Sequence, residues 1–512
     1  MLWLALHLPL LSLESFAATL QPAATGQPLA LIDAHAIRAA NGAARALGVR
    51  AGLKRATALA LAPQLTLGAA DPRRDAQALS AVAHAALAFT PNVSTQPPSA
   101  AAPDDTPHTV LLEVQASLRY FGGLVALRRR LLAALAPLGH RVHCVSARTA
   151  LGAALLARAH PALDCDDLAA TRRALDAAPV WLLGPGRAHW EALQGMGLRT
   201  IADLRSVPRD GLARRFGEVV LGELDRASGT RPDPREPIVL PPTFDGRLEL
   251  FARADTSEQL LHGAAVLLAR LVAWLAAQHA FVRRFTLTME HERRSRRDAG
   301  AAAATRLEVA LAEPSRDAAH LQLLLRERLA QLTLPAPTLE LALHADDIAR
   351  RAPPNAELFP TPATEHEGLT RLIERLQARL GREQVLRLAP LQDHRPECAT
   401  ACRIADASIR PAPARGHRPV AEASPRRPAR PVWLLHPPEP LPERAGAPWC
   451  GAEPLQLLSG PERIESGWWE APLVERDYYI AQLPDGALVW IYRSRVPVGL
   501  GAPCWFLQGR FG

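Results

Sequence analysis

The chain has 512 residues, and Lys+Arg outnumber Asp+Glu by 59 to 51, a surplus of +8 that mildly favours an acidic partner such as nucleic acid. Six cysteines are scattered along it, with Cys398-x3-Cys402 as the close pair and no histidine partner at zinc spacing, which argues against a metal and for reduced thiols. The apolar N-terminus has no basic flank, His7 and Pro9 interrupt it, and no apolar run of about 18 residues is read elsewhere, so a soluble, cytoplasmic protein of roughly three to five domains is expected.

Leu2, Leu4, Leu6 and Leu8 alternate with Trp3, Ala5 and His7, the period of a strand buried on at least one side. Residues 41–67 run from Asn41-Gly42 through Arg45 and Gly48 to Ala62-Pro63-Gln64-Leu65, with Arg45 on a helix. Val110, Leu112 and Val114 alternate with Leu111 and Glu113 as a second strand. It stops at Gly122-Gly123 and gives way to a helix with Leu124, Leu127, Leu131 and Leu135 on one side. Val142, Cys144 and Ser146 read as a third strand, and the helix after it ends at Ala159-His160-Pro161.

Between 180 and 229, short helices are separated by the turns Gly184-Pro185-Gly186 and Gly195-Met196-Gly197. Such glycines let backbone N–H groups approach a phosphate, with Arg187, Arg199 and Arg214 or Arg215 supplying charge. An αα-hairpin packed only for structure accounts for the same spacing. Residues 240–350 read as βαββαβ. Phe285, Leu287 and Met289 alternate with Arg284, Thr286 and Thr288, and later strands lie at Arg306–Leu311 and Thr338–Leu343 around a helix at Ala318–Leu332. The turn carrying Arg293, Arg294, Arg296 and Arg297 is either a DNA contact or a solvated loop.

Asn355-Ala-Glu-Leu358-Phe359 lies between Pro353-Pro354 and Pro360, an extended segment whose two apolar side chains either fill a partner's groove or staple onto the next helix. That helix opens with the capping box Thr364-Glu-His-Glu367 and runs through Leu369, Leu372, Ile373, Leu376 and Leu380 to Gly381. Asp393-His-Arg-Pro-Glu397 leads into residues 401–448, a linker with 11 prolines between Pro411 and Pro448. It is expected to stay extended, with Val432-Trp433-Leu434-Leu435 as a docking peptide. The tail, with Trp468-Trp469, Tyr478-Tyr479, Val489-Trp490-Ile491-Tyr492 and Trp505-Phe506, reads as a small β module.

Taken in order, these segments resemble the Y-family (translesion) DNA polymerases. Leu111-Leu112-Glu113-Val114 takes the place of Phe-Leu-Asp-Val in the family's Ser-Ile-Asp-Glu-Ala-Phe-Leu-Asp-Val, so its two catalytic acids fall on His108 and Thr109. Ser12-Leu13-Glu14 matches the end of the family's first strand, which puts Ala5 at the first metal-binding Asp and His7 at the next acidic position. Arg45 stands at the triphosphate-binding Arg, with Gly42 replacing its Tyr partner, and His160 at the phosphate-binding Lys, a remnant phosphate pocket. The resemblance implies an α+β multidomain fold. Its parts are palm and fingers (1–170), a helix-hairpin-helix thumb (171–235), a βαββαβ little finger that grips the duplex (240–350), a clamp-peptide candidate and helix (351–400), the linker (401–448) and a C-terminal β module (449–512).

Phosphoryl transfer by polymerases needs two metal ions held by about three carboxylates. Ala5 and Thr109 supply none, and His108 is the wrong ligand type for Mg²⁺. With Asp393–Glu397 and the aromatic tail, the pattern resembles the ImuB-type branch, catalytically inactive Y-family homologues of bacterial mutagenesis cassettes. That resemblance implies a DNA-binding adaptor of translesion synthesis and SOS mutagenesis, with no catalytic residues and no cofactor. Its implied partners are DNA, the sliding clamp, an ImuA-like RecA-related protein and an error-prone replicative-type polymerase. Asn355, Leu358 and Phe359 match the clamp ligands Gln-x-x-Leu-Phe, with Asn in place of Gln. The alternative is an active polymerase with a shifted metal site at Asp104-Asp105, a slip that places Pro107 inside a strand.

Overall fold

The structure, a computed structural model, describes residues 1–21, 26–97, 108–292, 303–350, 362–405, 430–466, 473–496 and 504–511. The chain divides into two units, Met1–Thr361 and Pro362–Gly512.

The first unit opens with β1 (Trp3–His7) and α1 (Leu11–Ala17). β2 (Leu29–Asp33), β3 (Ala36–Ala40), α2 (Gly42–Ala46), α3 (Arg55–Leu61) and β4 (Thr66–Ala69) follow as a small layer of strand order β3-β2-β4, closed over Ile37, Ala44, Val49 and Ala58. Next come α4 (Pro72–Leu87), β5 (Val93–Thr95), β6 (Thr109–Glu113), α5 (Leu118–Phe121), α6 (Leu124–Leu135), β7 (His143–Ala147), α7 (Ala150–Ala159) and β8 (Ala162–Asp164). Together with β1 these strands make a five-stranded sheet of order β5-β6-β1-β7-β8. β1 is central and antiparallel to both neighbours, with Ala5 opposite Leu111 and Val145, and His7 opposite Thr109 and His143. The period of two sorts its side chains. Leu4, Leu6, Val110 and Leu112 pack on α4 and α6, while Ala5, Leu111 and Val145 pack on α7. The strand is therefore buried on both faces.

Helices α8 (Leu168–Ala177), α9 (Gly184–Ala188), α10 (Trp190–Gly195), α11 (Ile201–Ser206), α12 (Arg209–Phe216) and α13 (Glu218–Ser228) share the core of α7. Then β9 (Phe244–Ala254), α14 (Ser257–Ala277), β10 (Ala280–His291), β11 (Ala304–Ser315), α15 (Ala318–Ala330) and β12 (Thr338–Arg350) form an antiparallel sheet of order β11-β10-β12-β9 with both helices on one face. α14 corrects a sequence expectation, because it is long and apolar enough by length and composition to cross a membrane. Here it is a core helix, with Leu260, Leu267, Leu271 and Trp274 buried.

The second unit holds α16 (Pro362–Leu380), the hairpin β13 (Leu386–Pro390) and β14 (Thr400–Ile404), and a five-stranded antiparallel sheet. α16 begins before Thr364, so the capping-box residues lie inside the helix rather than at its end. Gly381, at φ +91°, terminates it. The sheet comprises β15 (Trp433–Leu441), then, past the short β16 (Glu443–Arg444), β17 (Ala447–Cys450) and β18 (Glu453–Pro454), β19 (Gln456–Ser466), β20 (Val474–Gln482), β21 (Leu488–Ser494) and β22 (Trp505–Arg510). Its order is β15-β22-β21-β20-β19.

The linker expected over 401–448 is thus overturned at both ends, at Thr400–Ile404 and from Trp433 onward. Trp433 and Leu434 pair with Arg510 and Gly509 as a sheet edge rather than forming a free docking peptide. Prolines are tolerated because β15 pairs on one side only and the ladder is interrupted between Leu434 and Glu439. Residues 393–397 are tied to the same sheet. Arg476 donates to both Glu397 carboxylate oxygens (2.9 and 3.1 Å), Gln508 donates to Glu397 (2.9 Å), and the Tyr478 hydroxyl donates to Gln508 (2.6 Å).

Candidate functional site

Ala5, His7 and Thr109, which the family resemblance sets at the acid positions of a polymerase palm, lie on one face of the β6-β1-β7 sheet. Ala5 and Thr109 are fully buried there. Because strand register places His7 opposite both Thr109 and His143, these three side chains meet at one end of the sheet. His7 Nδ1 lies 3.0 Å from Thr109 Oγ1, and the two imidazoles are 5.9 Å apart, centroid to centroid. His143 donates its Nδ1–H to the Ala157 carbonyl (3.0 Å), which fixes its tautomer. The His108 carbonyl accepts the Leu8 amide (2.8 Å), so that residue closes the strand pair through its backbone.

Among the described residues, Glu14 and Asp164 bond elsewhere rather than to Thr109 or His143. Glu14 accepts the Arg141 amide (3.0 Å) and faces His140 (3.5 Å). Asp164 accepts from Arg128 (2.7 and 2.8 Å) and Ser146 (2.9 Å). Both acids are committed to charge or hydroxyl partners elsewhere. Hard cations such as Mg²⁺ need oxygen ligands in number, and two imidazoles with one hydroxyl do not fit that demand. Among the described residues no group of three or more His, Cys, Asp or Glu is placed to hold a metal ion. Asp104 and Asp105 lie outside the described residues. Of the remnant phosphate pocket, Arg45 is exposed on α2 and His160 caps the C-terminus of α7, and neither side chain has a hydrogen bond or ion pair among the described residues. His143 carried no signal in the sequence, since only the register brings it beside His7.

The two glycine turns differ in kind. The Gly184 amide donates to the buried Glu223 carboxylate (3.1 Å), and a Cβ on Gly186 would sit 1.9 Å from the Val180 carbonyl oxygen. Those glycines serve the close packing of α9, and the Gly184 N–H faces the protein. Arg187 lies exposed over the Trp181 ring, 5.4 Å from its centroid. The second turn is open. Gly195 and Gly197 are exposed with no atom within 4 Å of an added Cβ, and Gly197 has φ +79°. Arg199 follows it, while Arg214 and Arg215 are exposed on α12. Arg209, by contrast, is held by Asp225 through two bonds (3.1 and 2.8 Å). Asp203 closes the N-terminus of α11 by accepting the Arg199 and Thr200 amides (3.0 and 2.9 Å), and these bonds hold its carboxyl below the usual range.

The helix-free face of the β11-β10-β12-β9 sheet departs from a duplex-gripping surface. Its strands present Asp245, Glu249, Glu290, Glu308, Glu340, Asp346 and Asp347 against Arg247, Arg284 and Arg306. Two of those arginines are spent internally, Arg247 on Glu340 (3.4 Å) and Arg284 between Glu308 (3.8 Å) and Asp347 (3.7 Å). His344 binds Asp245 at 2.7 Å, and that carboxylate raises the imidazole above its ordinary range. A phosphate backbone laid on these strands meets carboxylates interleaved with arginines, Arg253 and Arg283 among them. Arg293, Arg294, Arg296 and Arg297 lie outside the described residues, as do Asn355, Leu358 and Phe359.

Among proteins of known identity, the chain is 30% identical over 488 residues to Protein ImuB of Caulobacter vibrioides, in strain NA1000 / CB15N and in strain ATCC 19089 / CIP 103742 / CB 15. The alignment spans 91% of this chain and all of that protein. Among solved structures, the insertion ternary complex of Dbh DNA polymerase aligns at 17% identity and a TM-score of 0.38 over 68% of this chain and 99% of that one. DinB from Sulfolobus solfataricus aligns at 17% identity and 0.37, with the same coverage. No family model matches.

Proposed function

This chain belongs to the ImuB family, and from that premise we propose that it is a non-catalytic, DNA-binding adaptor of translesion synthesis. The observation that carries the reading is the set of residue types at the end of β1, where Ala5, His7, Thr109 and His143 stand together and, among the described residues, no group of three or more His, Cys, Asp or Glu is placed to hold a metal ion. Two-metal phosphoryl transfer clamps the attacking and leaving oxygens between ions, and the ions must first be held. Among its described residues this sheet presents two imidazoles and one hydroxyl there, a poor ligand set for Mg²⁺.

DNA is held through its backbone by the open turn Gly195–Gly197 with Arg199, Arg214 and Arg215, and by the arginines at 293–297. Synthesis is left to recruited partners, namely the sliding clamp, a RecA-related ImuA-like protein and an error-prone replicative-type polymerase. The clamp takes Asn355, Leu358 and Phe359, and the second unit carries a protein contact.

Primer extension with the purified chain in Mg²⁺ or Mn²⁺ tests the central statement. No product is expected. Template-dependent product that survives Asp104→Ala/Asp105→Ala overturns the reading, and product abolished by that pair moves the metal site to a slipped strand. For the clamp, a buried Phe anchor is commonly worth about 2 kcal/mol or more. Leu358→Ala/Phe359→Ala therefore removes clamp binding, and Asn355→Gln, with its longer amide, strengthens it.

A further inference from the structure

α14 carries an arginine in a place that elementary electrostatics disfavours. Arg270 is 6% exposed, and among the described residues its guanidinium meets no carboxylate. Its protein bonds are two long ones from Nη1, to Gln77 Oε1 (3.3 Å) and to the Arg247 carbonyl (3.4 Å). Burying a cation without a counter-charge is costly, and burial lowers this guanidinium to about 10.

The side chain borders a cavity of about 440 Å³ between α14, the end of α1 and the Pro137–Gly139 turn, a size that suits a small molecule. A second group points the same way. The His140 side chain, 7% exposed, lines the cavity with a buried Nδ1 that has no hydrogen-bond partner. Glu14 also lines it, but its carboxylate already accepts the Arg141 amide, and at 3.5 Å it faces His140 without a hydrogen bond. Leu20, Leu138 and Val266 make the rest of the wall apolar, His262 stands at its edge, and no Phe, Tyr or Trp lines it for a nucleobase to stack on.

We propose that this cavity binds an organic anion, a single carboxylate or phosphate monoester on an aliphatic body, with Arg270 as its counter-ion and His140 as a hydrogen-bond donor. The head neutralises the buried guanidinium while the body fills the apolar wall. The ligand thereby ties α14, which belongs to the four-stranded sheet, to the five-stranded layer through α1. This site is independent of the adaptor reading, since no residue of the β1 cluster or of the Gly195–Gly197 turn lines it.

Isothermal titration of the full chain with octanoate, octyl phosphate, inorganic phosphate and 1-octanol tests it. At least one octyl anion is expected to bind one to one, and the preferred head identifies the source, carboxylate or phosphate. Inorganic phosphate and octanol should each be at least about tenfold weaker, the loss that follows when a bond to a charged group or its apolar support is removed. Arg270→Met should weaken the anion at least about tenfold. Val266→Trp should fill the cavity and abolish binding while DNA affinity and far-UV circular dichroism stay unchanged, which separates loss of the site from loss of the fold. Octanol binding as well as the anions, no binding by either octyl anion at millimolar concentration, or unchanged affinity in Val266→Trp overturns the proposal.

Discussion

Arginines that are equally exposed in a sequence are unequal in this structure, and salt titration reads the difference. Each phosphate contact on duplex DNA contributes about 0.9 to the slope of log affinity against log salt, because condensed counter-ions are released. Arg199 is exposed just after the open turn, and Arg214 and Arg215 are exposed on α12. Changing all three to Ala should therefore lower the slope by about 2.7, taking 0.9 for each contact. Between 50 and 200 mM salt, that difference amounts to about 40-fold in relative affinity. Arg209, fixed by Asp225 at 3.1 and 2.8 Å, already has its counter-charge. Arg209→Ala should change the slope by less than half of one contact, about 0.4. Fluorescence anisotropy on a labelled duplex, repeated over the salt series with the full chain, gives both slopes. An unchanged slope in the triple variant, or a full contact's worth in Arg209→Ala alone, would refute the reasoning.

Three further outcomes follow from packing and charge. Glu397→Ala removes the carboxylate shared by Arg476 and Gln508, in an ion pair whose Arg476 and Glu397 side chains are 16% and 19% exposed. The cost should fall at the low end of a broken buried pair, about 3 kcal/mol, and a urea midpoint equivalent to less than about 1 kcal/mol would contradict the network's role. Gly186→Ala drives a Cβ against the Val180 carbonyl and should cost about 1–3 kcal/mol, whereas Gly195→Ala meets no atom and should be neutral or slightly stabilising in thermal unfolding. His344 has its pKa raised by the hydrogen bond it donates to Asp245, whose own pKa is lowered by accepting it. The imidazole's contribution is thus present below its unfolded value of about 6.5 and lost as pH rises through the folded one, while the carboxylate's is lost as pH falls below about 4. Both groups are largely exposed, 47% and 67% by side chain, so His344→Ala should cost less than about 1 kcal/mol, and more at pH 5.5 than at pH 8. A larger cost at pH 8 would reverse the assignment.

Much of the candidate site was legible because it is a matter of residue type at a strand position. The alternation of Leu2, Leu4, Leu6 and Leu8 with Trp3, Ala5 and His7 marks a strand, and the β6 segment marks its neighbour, so the missing carboxylates can be seen without coordinates. The membrane-length apolar character of α14 is masked along the chain, where Arg270 and scattered polar residues break the run while the helix as a whole remains apolar. The proline count hid β15 for a similar reason, since a one-sided edge strand can dispense with the amide hydrogens that proline lacks.

The linear order of the residues by itself marked β1, β6, β7 and the helices after them, because hydrophobic period and glycine stops act over a few residues, while the strands inside 401–448 lay hidden among prolines. It equally fixes the residue types Ala5, His7, His108 and Thr109 at the positions set against the family's acids. Which groups meet was decided by tertiary structure alone. His143 reaches His7 only through the register of β7 on β1, Glu223 reaches the Gly184 amide across 39 residues, and Glu397 reaches Arg476 across 79. The interleaving of acids and arginines on the four-stranded sheet is likewise invisible along the chain, where each strand alternates charge with core. It emerges when four strands bring one side of each pleat together, and electrostatics acts through that assembled distance rather than through sequence separation.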